Sequence, residues 1–199
     1  MMIPHFEHND KNNFIAGGYI DEIVCDNLIS YFEKCKYKEV GRVGTTEQIT
    51  ALEQEDVKKS TDLGIQLHLN NDKEPTEYIE QLNQVLELYK IKYPYCSEKQ
   101  GAWNIIENWN IQRYHPKEGF YNWHTERTGV KNMHRHLVFM TYLNDVIDGG
   151  ETEFYYQKMK IKPKKGLTVL WPADWTHLHR GITSNTETKY IVTGWYGYY

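Results

Sequence analysis

The chain has 199 residues, enough for one well-buried domain and too few to divide comfortably into two with separate cores. A composition of 40% hydrophobic and 25% charged residues, with six Trp and 16 Tyr, excludes a wholly disordered protein. The net charge of -4 gives no global field toward nucleic acid or an anionic membrane, and neither partner is expected.

In chain order, the opening residues lack the charged and apolar parts of a signal peptide, and no apolar run approaches the roughly 20 residues that span a bilayer, so a cytoplasmic protein is expected. Residues 21–36 place Ile23, Val24, Leu28, Tyr31, Phe32 and Cys35 at helical spacing behind the Gly17-Gly18 break, which predicts an amphipathic helix capped by Asp21. Residues 40–60 are polar and aperiodic, a loop with one short strand and a candidate lid. Pro75 then opens a second amphipathic helix over residues 76–89, with Tyr78, Ile79, Leu82, Val85, Leu86 and Tyr89 on its buried stripe. After Pro94, short runs rich in Ile, Val, Trp, Tyr and Thr alternate with turn residues and predict strands at 103–114, 137–143, 152–156, 167–171 and 190–196. The expected fold is mainly β, one domain over residues 1–199: a sandwich or jelly roll, with a helical N-terminal part to about residue 95 buttressing one sheet. Cys25, Cys35 and Cys96 lie far apart without Cys-x-x-Cys spacing, and suit buried thiols better than a disulfide framework or zinc ribbon.

The cluster that carries chemistry is His124-Thr125-Glu126, followed 53 residues after Glu126 by His179. Side chains two apart in extended chain project to one side, so His124 and Glu126 can address one ion while a later strand delivers a third ligand. Two imidazoles and a carboxylate on one face form the triad that holds non-haem Fe(II) with three positions open. Periodicity alone does not choose between His177 and His179, which share a face in extended chain. His134 and His136 flank Arg135 at a strand entry, a candidate substrate-facing edge, and Gly149-Gly150 suits a tight turn better than a phosphate cradle, since no helix start follows.

Residues 103–199 resemble the 2-oxoglutarate-dependent Fe(II) dioxygenases, and among them the prolyl 4-hydroxylase-like branch. The matching residues are Tyr114, Gly119, Tyr121 and His124-Thr125-Glu126; Tyr142-Leu143-Asn144 with Gly149-Gly150-Glu151-Thr152-Glu153-Phe154; Pro163, Gly166 and the strand at 167–171; then His179, Lys189 ten residues on, and Trp195. Glu126 stands where this branch usually has Asp. The resemblance implies a double-stranded β-helix (jelly roll), Fe(II) held by His124, Glu126 and His179, and 2-oxoglutarate with its far carboxylate on Lys189 and on the Tyr114 hydroxyl. It implies dioxygen as the oxidant, ascorbate as a reductant, and hydroxylation of a substrate, for which a prolyl residue in a peptide leads. A free amino acid or small metabolite is the alternative substrate, and a noncatalytic jelly-roll binding module the alternative function. The offset to Lys189 selects His179 over His177. Trp123 and Arg180, beside the two histidines, are candidate substrate contacts.

Overall fold

The computed structural model describes residues 5–6, 13–41, 56–67 and 72–199. Twelve strands and two long helices run along them: β1 (His5–Phe6), β2 (Ala16–Tyr19), α1 (Glu22–Lys34), β3 (Glu39–Val40), β4 (Thr61–Ile65), α2 (Lys73–Lys92), β5 (Trp103–Asn104), β6 (Trp109–Tyr114), β7 (Arg135–Tyr142), β8 (Thr152–Phe154), β9 (Met159–Ile161), β10 (Leu167–Pro172), β11 (His179–Gly181) and β12 (Lys189–Tyr198). The large antiparallel sheet has the order β1-β2-β10-β7-β12-β6-β4-β3, with β5 also on β12, and the small one the order β11-β8-β9. Two facing antiparallel sheets with helices on the outer side of one make the expected jelly roll.

Strand alternation divides the large sheet into two faces. Leu137 and Phe139 of β7, Leu170 of β10 and Val192 and Tyr196 of β12 point outward, where they meet Val24, Leu28 and Phe32 of α1 and Tyr78, Leu82, Val85 and Tyr89 of α2. Val138, Met140 and Tyr142 of β7 with Val169 and Trp171 of β10 point inward, toward Phe154, Met159 and Ile161 of the small sheet. Burying a large side chain contributes roughly 1.5 to 3 kcal/mol, so both layers contribute heavily to stability.

The structure departs from the sequence expectations in three places. The part before residue 95 is not only helical, because β2 and β4 enter the large sheet beside β10 and β6. Gly17 in β2 permits this: a Cβ there would lie 1.9 Å from the Thr168 carbonyl oxygen. Asp21 occupies the N-cap of α1 but makes no side-chain cap bond, and instead its carboxylate accepts from Gln81 Nε2 at 2.9 Å, tying α1 to α2. Helix α2 starts at Lys73, two residues before Pro75, which sits within the first turn, where backbone N–H groups have no helical partner. The candidate lid falls mostly on residues 42–55, outside the described ones. Its last residues run antiparallel to residues 119–121, with Lys59 N donating to the Gly119 carbonyl and Tyr121 N to that of Val57, both at 2.9 Å.

Candidate active site

The two histidines are brought together by backbone hydrogen bonds. His124 N donates to the His179 carbonyl at 2.9 Å and His179 N to that of His124 at 3.0 Å, an isolated antiparallel bridge that adds His124 to the edge of the small sheet. The residues of such a pair project to one side, and the imidazole centroids lie 4.3 Å apart. Two residues on, the Glu126 and Arg127 N–H groups donate to the Ala173 carbonyl at 3.2 and 3.1 Å, which fixes the chain carrying the carboxylate to the end of β10.

The ring tautomers follow from this backbone. His124 Nδ1 lies 2.9 Å from the Asn122 carbonyl and His179 Nδ1 2.8 Å from the His177 carbonyl, and since a carbonyl only accepts, each Nδ1 carries the proton. Each Nε2 then presents a lone pair, and both face Glu126 Oε1, at 3.6 and 3.4 Å. All three candidate ligand atoms lie within 4.8 Å of one another. The other oxygen, Oε2, accepts from Trp195 Nε1 at 3.0 Å and from Arg135 at 3.4 Å, while Arg135 also stacks on the Trp195 ring and pairs in bidentate fashion with Glu107. Burial, joined by the neighbouring His179, pushes His124 down to about 3. Burial raises Glu126, but the adjoining His179 and His124 imidazoles and the Arg135 guanidinium outweigh it and hold the carboxyl at about 2. At neutral pH His124 is therefore neutral and Glu126 ionised, the states that metal binding requires of them.

These side chains line an open cavity of about 1110 Å³ between the sheets. Lys189, Ile191, Thr193 and Trp195, alternate residues of β12, form one wall with Asn110, Gln112 and Tyr114 of the adjacent β6. Lys189 is 5% exposed and donates to the Gly150 carbonyl at 3.0 Å; among the described residues no carboxylate lies within ion-pair distance of it. Burial pushes it down to about 8. A buried cation with one backbone acceptor and an adjoining cavity is a ready anion site. Tyr114 is directly opposite Lys189 in the β6–β12 register, and its hydroxyl donates to Gln112 Oε1 at 2.7 Å.

The remaining sequence candidates are placed as follows. Arg180 lines the cavity, stacked 4.5 Å over the Trp123 ring and donating to Glu153 at 2.8 Å. Trp123 itself is outside the cavity wall, edge-on to Tyr155. His177 is buried, bonded through Nε2 to the Asn13 carbonyl, so it positions His179 by its carbonyl and not by its ring. His134 and His136 stand at the entry of β7 against Glu107 and the Cys96 carbonyl, away from the cavity. Gly149 and Gly150 make the tight turn, both at φ +78°. Sequence reasoning passed over Gln112, Arg135 and the cavity role of Trp195. Counting by twos from Tyr114 and Lys189 along their strands would have found Gln112 and Trp195, whereas nothing local announces Arg135, or Lys58 and Asp62, which also line the wall.

A sequence profile described as the 2OG-Fe(II) oxygenase superfamily matches residues 109–197. No curated protein sequence matches the chain significantly. Among solved structures the chain is similar to a viral collagen prolyl hydroxylase from Paramecium Bursaria Chlorella virus-1 in its 2OG complex, with TM-score 0.66 and 20% identity over 96% of this chain and 100% of that one. It is similar to a Pseudomonas putida prolyl-4-hydroxylase, with TM-score 0.65 and 14% identity over 91% and 89% of the two chains. A Trichoplax adhaerens prolyl hydroxylase in complex with a hypoxia inducible factor peptide fragment gives TM-score 0.69 and 15% identity over 94% and 84%. At these identities the likeness establishes a shared fold.

Proposed function

We propose, from the match of residues 109–197 to the 2OG-Fe(II) oxygenase profile, that the chain is a 2-oxoglutarate-dependent dioxygenase in which His124, Glu126 and His179 hold Fe(II), Lys189 holds the far carboxylate of 2-oxoglutarate, and a prolyl residue of a peptide is hydroxylated. The observation that carries this reading is the joint placement, in one cavity, of three convergent candidate ligand atoms and a buried cation that has no acidic partner among the described residues. The donor set fits the ion: two neutral imidazoles and one carboxylate, without thiolate, suit Fe(II), and atoms this close can share an ion at about 2.0 to 2.2 Å. With 2-oxoglutarate and dioxygen, bound Fe(II) supplies an oxidative decarboxylation that gives succinate and CO2 and places one oxygen atom in a substrate C–H bond.

The chain's own residues hold and orient. The Asn122 and His177 carbonyls keep the Nε2 lone pairs turned inward, and Trp195 with Arg135 holds Oε2 so that Oε1 faces the histidines. Such supporting contacts are typically worth 10- to 100-fold in metal affinity. Met140, Trp171 and Ile191 give the wall an apolar stretch that limits water around Lys189 and the triad. The cavity exceeds the volume of a five-carbon diacid, which leaves room for a substrate side chain, and Arg180 on its wall is a candidate contact. The prolyl-peptide reading is supported by these structural relatives, each a prolyl hydroxylase, one with a peptide bound. Ascorbate joins the proposal as external reductant on the family resemblance.

The test is mass spectrometry of proline-containing peptides incubated with protein, Fe(II), ascorbate and 2-oxoglutarate. One added oxygen on proline is expected, dependent on 2-oxoglutarate and abolished by His179→Ala. Activity surviving His179→Ala but lost in His177→Ala would overturn the ligand assignment, and turnover of free amino acids with no peptide modified would overturn the substrate.

A further inference from the structure

Behind Tyr114 a row of buried polar contacts decides where its hydroxyl proton goes. Lys58 Nζ lies 2.7 Å from Asp62 Oδ2, and Ser60 donates to Oδ1 at 2.7 Å, so Asp62 is a carboxylate held on both oxygens and can only accept. Gln112 Nε2 donates to Asp62 Oδ2 at 2.9 Å. Turning this amide over would set its oxygen against a carboxylate oxygen at the same distance, so the network determines its orientation. Gln112 Oε1 must then face Tyr114, whose hydroxyl donates to it at 2.7 Å. A phenol has one proton, and here it is spent.

We infer that Tyr114 offers the cavity only lone pairs, and that Gln112 is the positioning residue that sets this polarity, leaving Lys189 to hold a bound carboxylate without help from Tyr114. The inference rests on the proposed reading, in which the far carboxylate of 2-oxoglutarate lies at Lys189, whose Nζ is 5.0 Å from the Tyr114 ring centre. It departs from the role that the family resemblance assigns to Tyr114. Redirecting the proton to the ligand would break a buried hydrogen bond and leave Gln112 Oε1 unsatisfied. Replacing Gln112 by an apolar side chain removes that competitor, and Asp62 keeps Lys58 and Ser60.

The experiment is calorimetric titration of Mn(II)-loaded protein with 2-oxoglutarate, for the unmodified chain, Tyr114→Phe, Gln112→Leu and the double variant. Tyr114→Phe is expected to bind within about threefold of the unmodified chain, Gln112→Leu about five- to tenfold tighter, and the double variant to return to the Tyr114→Phe value. A tenfold or greater loss in Tyr114→Phe would overturn the inference, as would no gain in a folded Gln112→Leu. A second measurement needs no ligand: proton NMR should show a slowly exchanging Tyr114 hydroxyl proton with a cross-peak to the Gln112 side chain, and a well-ordered Tyr114 lacking that cross-peak overturns the inference. If the unmodified chain fails to bind 2-oxoglutarate while the cross-peak is present, the functional reading fails and the assignment of the proton stands.

Discussion

Shortening Glu126 to aspartate separates the two tasks of its carboxylate. Oε1 faces the histidine Nε2 atoms at 3.4 and 3.6 Å, while Oε2 accepts from Trp195 at 3.0 Å and Arg135 at 3.4 Å. Removing one methylene withdraws the group by about 1.5 Å. With the backbone pinned to the Ala173 carbonyl, the carboxylate must give up one side or the other. Keeping Oε1 in place would stretch the Trp195 contact to about 4.5 Å, beyond hydrogen bonding. Losing a hydrogen bond to a buried charge costs about 1.5 to 3 kcal/mol, which is about 10- to 100-fold in metal affinity. Calorimetric titration of the metal-free protein with Mn(II) should therefore show Glu126→Asp at least about tenfold weaker than the unmodified chain, although it restores the residue common in the branch it resembles. Tighter Mn(II) binding by Glu126→Asp would refute this reasoning, because it would mean that the pocket is shaped for the shorter side chain.

Lys189→Ala should raise the 2-oxoglutarate requirement by about 30-fold or more, since a buried ammonium facing a carboxylate contributes about 2 to 4 kcal/mol, and an unchanged KM would remove Lys189 from the site. The pH dependence follows from burial, which lowers Lys189 from 10.5 to about 8. The unfolded chain then binds more protons than the folded one between those values, so this residue makes stability rise with pH through the window, while 2-oxoglutarate affinity should fall about tenfold per pH unit above 8; calorimetry across pH 7 to 10 checks the second effect, and a flat profile contradicts it. Gly149→Ala should lower the melting temperature by several degrees, because its φ is +78° and a Cβ would lie 2.3 Å from the Thr183 carbonyl oxygen; a variant that melts within a degree of the unmodified chain would show that the turn relaxes.

Much of the site was legible because its elements are short and periodic. The strand at 190–196 read clearly from its run of β-prone residues; in the structure it spans Lys189–Tyr198 and carries Lys189 and Trp195 on its cavity face. The triad was legible from spacing and resemblance together, since periodicity left His177 and His179 equal; in the structure the ring of one is tied to the Asn13 carbonyl and the ring of the other faces Glu126. Strands β2 and β4 were missed because Ala16–Tyr19 contains two glycines and Thr61–Ile65 is interrupted by Asp62 and Gly64, weak strand formers that become strands only through pairing with β10 and β6. The Asp62 and Lys58 contacts behind Tyr114 link residues up to 50 positions apart, a separation at which no local pattern operates.

The central claim is that His124, Glu126 and His179 hold Fe(II) beside 2-oxoglutarate. It is tested most directly by anaerobic titration of the purified chain with Fe(II) and 2-oxoglutarate, followed by admission of air. The account expects a visible metal-to-ligand charge-transfer band at one equivalent of each, then succinate, both absent from His179→Ala and retained by His136→Ala. A chain that shows neither band nor succinate, or that keeps both after His179→Ala, would contradict it.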